Sequence, residues 1–146
     1  MSTILVVDDD EAIRKLVALV ARRLGLSVDV ACDGSEALDL ITHNTYDVAV
    51  IDLMMPRLNG YDLVAYMKGL PERPFVVIVT AMTDALVSQL DATIVQSIIR
   101  KPFDVDLLGG LLTQLSDAMR ERRRARAADP PVEQSNVFPF PGRTAT

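Results

Sequence analysis

Short apolar runs alternate along this chain with longer stretches whose apolar residues recur every three or four positions. Ile4-Leu5-Val6-Val7, Val48-Ala49-Val50-Ile51 and Phe75-Val76-Val77-Ile78-Val79 are continuous and largely β-branched, the mark of strands covered on both faces. Each stops at a polar residue: Asp8, Asp52 and Thr80. Residues 27–31 alternate and predict another strand, and 94–99 predict a fifth, ended by Arg100-Lys101-Pro102. Between the strands lie helical spacings. Ile13, Leu16, Val17, Val20 and Leu24 follow Asp10 as a cap and end at Gly25. Ala37, Leu38 and Ile41 share one face of 34–43, and 61–68 and 84–90 are short helices, the former entered from a loop over 56–60. Leu107, Leu108, Leu111, Leu112 and Leu115 follow the cap Asp104. Strand and helix alternate five times, which predicts an α/β fold with a parallel sheet and helices on both faces.

Composition narrows the class without changing the picture. The chain has 146 residues, 49% apolar and 24% charged, an ordinary globular balance with enough length for one core. Cys32 is the sole cysteine, so no internal disulfide forms and a reducing compartment suits it; we read it as a structural residue. Met1-Ser2-Thr3-Ile4 lacks the basic and apolar segments of a signal peptide, and no apolar run approaches the roughly 20 residues of a membrane span. The expectation is a cytoplasmic protein with no membrane partner.

Charge divides the chain. Residues 1–119 hold nine Lys/Arg against seventeen Asp/Glu, a net of −8, whereas 120–146 hold six Arg against three acids, a net of +3. An acidic body does not suit nucleic acid. After Met119 the composition turns to Arg and Ala (Arg120, Arg122, Arg123, Arg124, Arg126) and then to Pro. We therefore expect one domain over 2–119, then an Arg-rich helical extension and a Pro-rich disordered tail over 120–146. That tail is too short for an output domain, so direct DNA binding is not expected. Its Val137-Phe138-Pro139-Phe140-Pro141 segment reads equally as a docking peptide or a linker.

Ligands of open parallel sheets bind beyond the carboxyl ends of the strands. Asp8 and Asp9, Asp52, Thr80 and Lys101 are the residues delivered there. Taken singly, each has an ordinary explanation: a solvated charge run, a turn, a β-former, a surface lysine. Together they place carboxylates, a hydroxyl and an ammonium on one edge. Clustered carboxylates without His or Cys favour a hard cation such as Mg²⁺. One of them can attack phosphorus, with the cation, lysine and hydroxyl stabilising the transferring group.

The motifs Val6-Val7-Asp8-Asp9, Val50-Ile51-Asp52-Leu53-Met54-Met55-Pro56-Arg57-Leu58-Asn59-Gly60, Val79-Thr80-Ala81 and Lys101-Pro102-Phe103 occur in that order. As a set, over residues 2–118, they resemble a response-regulator receiver domain of two-component signalling, of the stand-alone chemotaxis-receiver kind. The resemblance implies a flavodoxin-like doubly wound sheet of five parallel strands, order 2-1-3-4-5, with five helices. It implies that Asp52 is the phosphoacceptor and that Mg²⁺ is held by Asp8, Asp9, Asp52 and the backbone carbonyl of Met54, with Asp9 direct and Asp8 mostly through water. Thr80 and Lys101 then contact phosphoryl oxygens, the peptide before Pro102 is cis, and Gly60 permits a tight turn. Met54 and Met82, two residues after Asp52 and Thr80, are the positions that modulate the lifetime of the phosphorylated state. The partners implied are a histidine kinase or histidine phosphotransfer protein and a protein target. Two departures stand out. Ile98 occupies the switch position, three residues before the lysine, where the family carries Tyr or Phe. Leu90-Asp91-Ala92-Thr93 replaces the family's Gly-Ala before the last strand.

Two other classes fit less well. A Mg²⁺-dependent phosphatase with an aspartate nucleophile wants a second acid two residues on, and position 54 is Met. A flavin carrier wants a Ser/Thr/Gly-rich phosphate loop after the first strand, where Asp8-Asp9-Asp10 would repel phosphate. The expectation is a signalling receiver that catalyses only its own phosphotransfer and dephosphorylation. His43, the single histidine, lies at a helix end and is assigned no role.

Overall fold

The structure, a computed structural model, describes residues 2–55, 57–81 and 88–128. In chain order the elements are β1 (Thr3–Val7), α1 (Glu11–Arg23), β2 (Ser27–Ala31), α2 (Gly34–His43), β3 (Val48–Ile51), α3 (Gly60–Lys68), β4 (Phe75–Thr80), β5 (Val95–Arg100) and α4 (Val105–Ala128). The five strands form one sheet in the order β2-β1-β3-β4-β5, all neighbours parallel. This is the doubly wound, flavodoxin-like arrangement expected from the sequence. Four helices lie among the described residues rather than five. The helix expected over 84–90 falls largely on 84–87, outside the described residues, and 88–90 are turn and bend.

Strict alternation along the three central strands divides the core in two. Leu5, Val7, Ala49, Ile51, Val76 and Ile78 face α2 and α3, where Ala37, Ile41, Leu63, Val64 and Met67 close over them. Ile4, Val6, Val48, Val50, Val77 and Val79 face the other way, onto Val17, Val20 and Ala21 of α1 and Leu108 and Leu112 of α4. These strands read as unbroken apolar runs because both of their faces are buried. The edge strands β2 and β5 are only partly covered, with Val30 and Ile98 about two-fifths exposed.

Side-chain caps set where the helices begin. Asp10 accepts from the amides of Ala12 (2.9 Å) and Ile13 (3.3 Å), Asp33 from Glu36 (2.8 Å) and Asn59 from Asp62 (3.0 Å). Asp104 does the same for Asp106 (2.8 Å) and Leu107 (3.3 Å). Every one of these caps follows a strand at the same edge of the sheet, so the caps also fix the loops that surround the strand ends.

The chain divides into two compact units, residues 1–116 and 117–146. Of the second, 117–128 is described; it is helical, with Arg120 paired to Asp117 and Arg124 to Glu121 (2.6 Å). Such exposed pairs add little stability. The tail beyond, including Val137 to Pro141, lies outside the described residues. No helix among the described residues is long and apolar enough to cross a membrane. Cys32, read from the sequence as a structural residue, is exposed; it follows the last residue of the edge strand β2, with its thiol 3.8 Å from Glu36 Oε2.

Candidate functional site

Strand register builds the site. Val7 pairs with Ile51, so Asp8 and Asp52 leave the sheet side by side, and the Asp52 amide donates to the Val7 carbonyl at 2.9 Å. Thr80 ends β4 opposite Arg100, and the next residue, Lys101, donates its amide to the Thr80 carbonyl at 3.0 Å. Four of the residues singled out in the sequence are thereby brought to one edge, and Asp9 joins them from the loop after β1.

The acids converge. One carboxylate oxygen from each of Asp8, Asp9 and Asp52 lies within 4.8 Å of the others. Asp8 and Asp52 are 3% and 5% exposed, whereas Asp9 is open to solvent. Lys101 Nζ donates to Asp8 Oδ2 at 2.9 Å and to Asp52 Oδ2 at 3.4 Å, so one ammonium bridges two buried carboxylates. The remaining oxygen of Asp8 accepts the Asp10 amide at 2.9 Å, and that of Asp52 accepts the Met54 amide at 3.4 Å.

Burial lifts the Asp52 carboxyl above its ordinary pKa, and the charge of Asp8 lifts it further; Lys101 and the Met54 amide only partly offset this. For Lys101, burial opposes the charge, but the hydrogen bond to Asp8 and the attraction of Asp52 outweigh it and hold the amine above its usual value. An excess of negative charge in a poorly solvated cleft, made only of oxygen donors, is the chemistry that suits a hard divalent cation.

The remaining positions fall as follows. Thr80 is fully buried at the strand end. The Lys101-Pro102 peptide is cis. The Met54 side chain is 63% exposed, on the rim of the site, and Met82 lies outside the described residues. Ile98 sits on β5 opposite Ile78, with its side chain 39% exposed. Gly60 has a reason other than the expected tight turn. A Cβ there would come within 2.6 Å of the Asp52 carbonyl oxygen and 2.7 Å of Leu53 Cα, so the start of α3 packs directly on the backbone of Asp52 and Leu53.

Two contacts were not foreseen from the sequence. Arg14 Nη1 on α1 donates to the Asp8 carbonyl at 2.9 Å and braces the acid loop. Arg57, in the loop after Asp52, pairs with Asp33 at the start of α2. The spacing Asp33-x-x-Glu36 is a readable helix-start signal. Nothing in the sequence marks Arg57, which adopts φ 66°, a region where Gly or Asn is the usual occupant.

The family model of the response regulator receiver domain matches residues 4–112. The chain belongs to that family. Phosphorylation and Mg²⁺ binding are typical of these receivers in two-component systems. Among curated relatives, the receiver is 34% identical over 128 residues to response regulator MprA of Mycobacterium tuberculosis, covering 86% of this chain and 54% of that protein. It is 37% identical over 83 residues to the probable transcriptional regulator ycf27 of Cyanidium caldarium, covering 57% of this chain and 33% of that protein. The chain thus spans between a third and just over half of the curated relatives it matches. Among solved structures, the Francisella response regulator 1452 receiver domain superposes with a TM-score of 0.74 at 32% identity, covering 81% of this chain and 98% of that one. TrrA from Thermotoga maritima, solved in complex with Mg²⁺-BeF, gives 0.71 at 28% identity, covering 79% and 99%.

Proposed function

We propose that this receiver accepts a phosphoryl group on Asp52 from a histidine kinase or histidine phosphotransfer protein. The observation that carries the reading is the meeting of Asp8, Asp9 and Asp52 within 4.8 Å, with the Lys101 ammonium 3.4 Å from the Asp52 carboxylate. A carboxylate oxygen of Asp52 forms the O–P bond as the P–N bond of the donor phosphohistidine breaks, and that bond's electron pair leaves on the imidazole nitrogen. Lys101 and Thr80 stand at the neighbouring strand ends, where an ammonium and a hydroxyl stabilise charge on the phosphoryl oxygens. Asp8, Asp9, Asp52 and the Met54 carbonyl are the residues that would hold Mg²⁺. Bound there, the ion would neutralise the carboxylates and orient the incoming phosphoryl oxygens. The exposed Met54 side chain and Met82 are placed in sequence to screen the phosphoryl group from water.

The phosphorylated state is read through contact with another protein. The acidic body, net −8 over residues 1–119, does not suit a DNA surface. A histidine-kinase circuit of this kind operates in the cytoplasm.

Incubation with acetyl phosphate and Mg²⁺, followed by intact-mass measurement, should add one phosphoryl group to the wild type. It should add none to Asp52→Asn and none in the presence of a chelator. A modification that survives unchanged in Asp52→Asn sinks the assignment.

The two neighbouring acids should behave differently. Both oxygens of Asp8 are engaged by protein donors, while Asp9 is exposed, so Asp9 is the more available direct ligand. Calorimetric titration should show Mg²⁺ affinity falling about tenfold or more in Asp9→Ala, and by less in Asp8→Asn, which retains a polar partner for Lys101. Equal losses would show the two roles misassigned.

A further inference from the structure

The loop from β3 to α3 carries the Met54 carbonyl, yet the Met54 side chain is turned to solvent and does not seat the loop. The near end is fixed by Leu53, which is fully buried and whose carbonyl accepts the Gly60 amide at 3.1 Å. The far side rests on the beginning of α2. Arg57 Nη1 donates to Asp33 Oδ2 as an ion pair, while Asp33 Oδ1 caps α2 through the Glu36 amide at 2.8 Å. Asp33 is 4% exposed, and a carboxylate that deep needs a counter-charge. Next to Arg57, the Leu58 carbonyl lies over Gly34 so closely that a Cβ there would stand 1.8 Å from the oxygen. Two successive loop residues are thus seated on two successive residues at the start of α2. Arg57 holds this contact from φ 66°, a conformation an arginine adopts only when its surroundings impose it.

We propose that Asp33 and Arg57 form a latch that positions the β3–α3 loop, and with it the Met54 carbonyl, for Mg²⁺. They are positioning residues: neither belongs to the acid cluster. The inference rests on the reading of Asp8, Asp9 and Asp52 as a Mg²⁺ site. Met54 lies between Leu53 and Met55, both buried; freed from α2, the loop beyond Met55 would no longer hold that carbonyl to a single placement, and each binding event would have to settle it again.

The test uses the full chain with Arg57→Met, Arg57→Lys, Asp33→Asn and the Arg57→Met/Asp33→Asn double variant. Asn keeps the helix cap while removing the charge. Hydrogen exchange of the amides of residues 54, 55 and 57–60 is followed without metal, and Mg²⁺ affinity is measured by calorimetry. Arg57→Met and Asp33→Asn should each speed loop exchange and weaken Mg²⁺ by about tenfold, the range seen when supports of metal ligands are removed. The double variant should lose no more than either single one, because both break the same contact. Arg57→Lys should recover part of the affinity. Unchanged exchange, unchanged affinity in a loosened loop, or losses that add in the double variant would each overturn the latch. A wild type that takes up no Mg²⁺ would overturn the metal reading and the latch's role with it. That result is distinguishable, because it appears before any variant is made.

Discussion

Lys101→Met will lower the stability of the metal-free protein by about 3 kcal/mol, because removing one partner of a buried ion pair leaves the other charge uncompensated. In a domain of this size that is a fall of about 12 °C in Tm. Met keeps most of the side-chain volume, so the loss reports charge rather than a cavity. Two carboxylates 3% and 5% exposed would then face each other without the ammonium now 2.9 Å and 3.4 Å away. The effect has a pH signature. Asp52 already titrates above its ordinary value in the folded protein, chiefly through burial, and loss of Lys101 raises it further. A carboxyl whose folded pKa is raised contributes stability that is complete below its unfolded value and is lost as pH rises through the folded one. The gap between variant and wild type should therefore be small near pH 4 and widen toward pH 7. Adding Asp52→Asn should restore part of the loss, and Mg²⁺ should raise the Tm of the variant more than that of the wild type. Thermal melts across this range check all of it; a gap that does not vary with pH would show that Lys101 acts by packing alone.

Gly60→Ala will destabilise the protein although it puts a better helix former in the first turn of α3. Helix propensity favours Ala by about 1 kcal/mol. Against this stands a Cβ 2.6 Å from the Asp52 carbonyl oxygen and 2.7 Å from Leu53 Cα, both backbone atoms at the end of a central strand. Neither can swing aside as a side-chain tip would. The overlap must shift α3 or the backbone of Asp52 and Leu53, and we expect a net loss of about 3 kcal/mol, at the upper end of overpacking costs. Gly110→Ala is the matched control: nothing lies within 4 Å of its Cβ position, so helix propensity alone should act and stabilise. Denaturant melts of the two variants should move in opposite directions. Equal and stabilising shifts would mean the α3 junction relaxes freely.

The parts of the fold legible in the sequence are those where one physical demand dominates. β1, β3 and β4 are buried on both faces, so nothing interrupts their apolar runs before Asp8, Asp52 and Thr80. The caps Asp10 and Asp104 are local, and local hydrogen bonds leave local signals. Strand order brought the acids and Lys101 together because each ends its own strand. The apolar pattern starts the edge strand β5 one residue early: Ile94 is 4% exposed and apolar like a strand residue, but it closes a turn, its amide donating to the Asp91 carbonyl at 3.0 Å. The sequence points to a turn at Gly60, whereas the structure shows close approach to the Asp52 backbone, a distance no sequence pattern states. The Asp33–Arg57 contact spans 24 positions and joins two loops, so only the folded backbone brings it into view.

The exposed thiol of Cys32 stands one residue before Asp33, at the mouth of the β2–α2 connection. As the sole cysteine of the chain, it offers a single attachment point for a fluorophore in the unaltered protein. A dye there would sit beside the loop that follows Asp52, and its emission would report loop rearrangement in real time, without a tryptophan, which this sequence lacks.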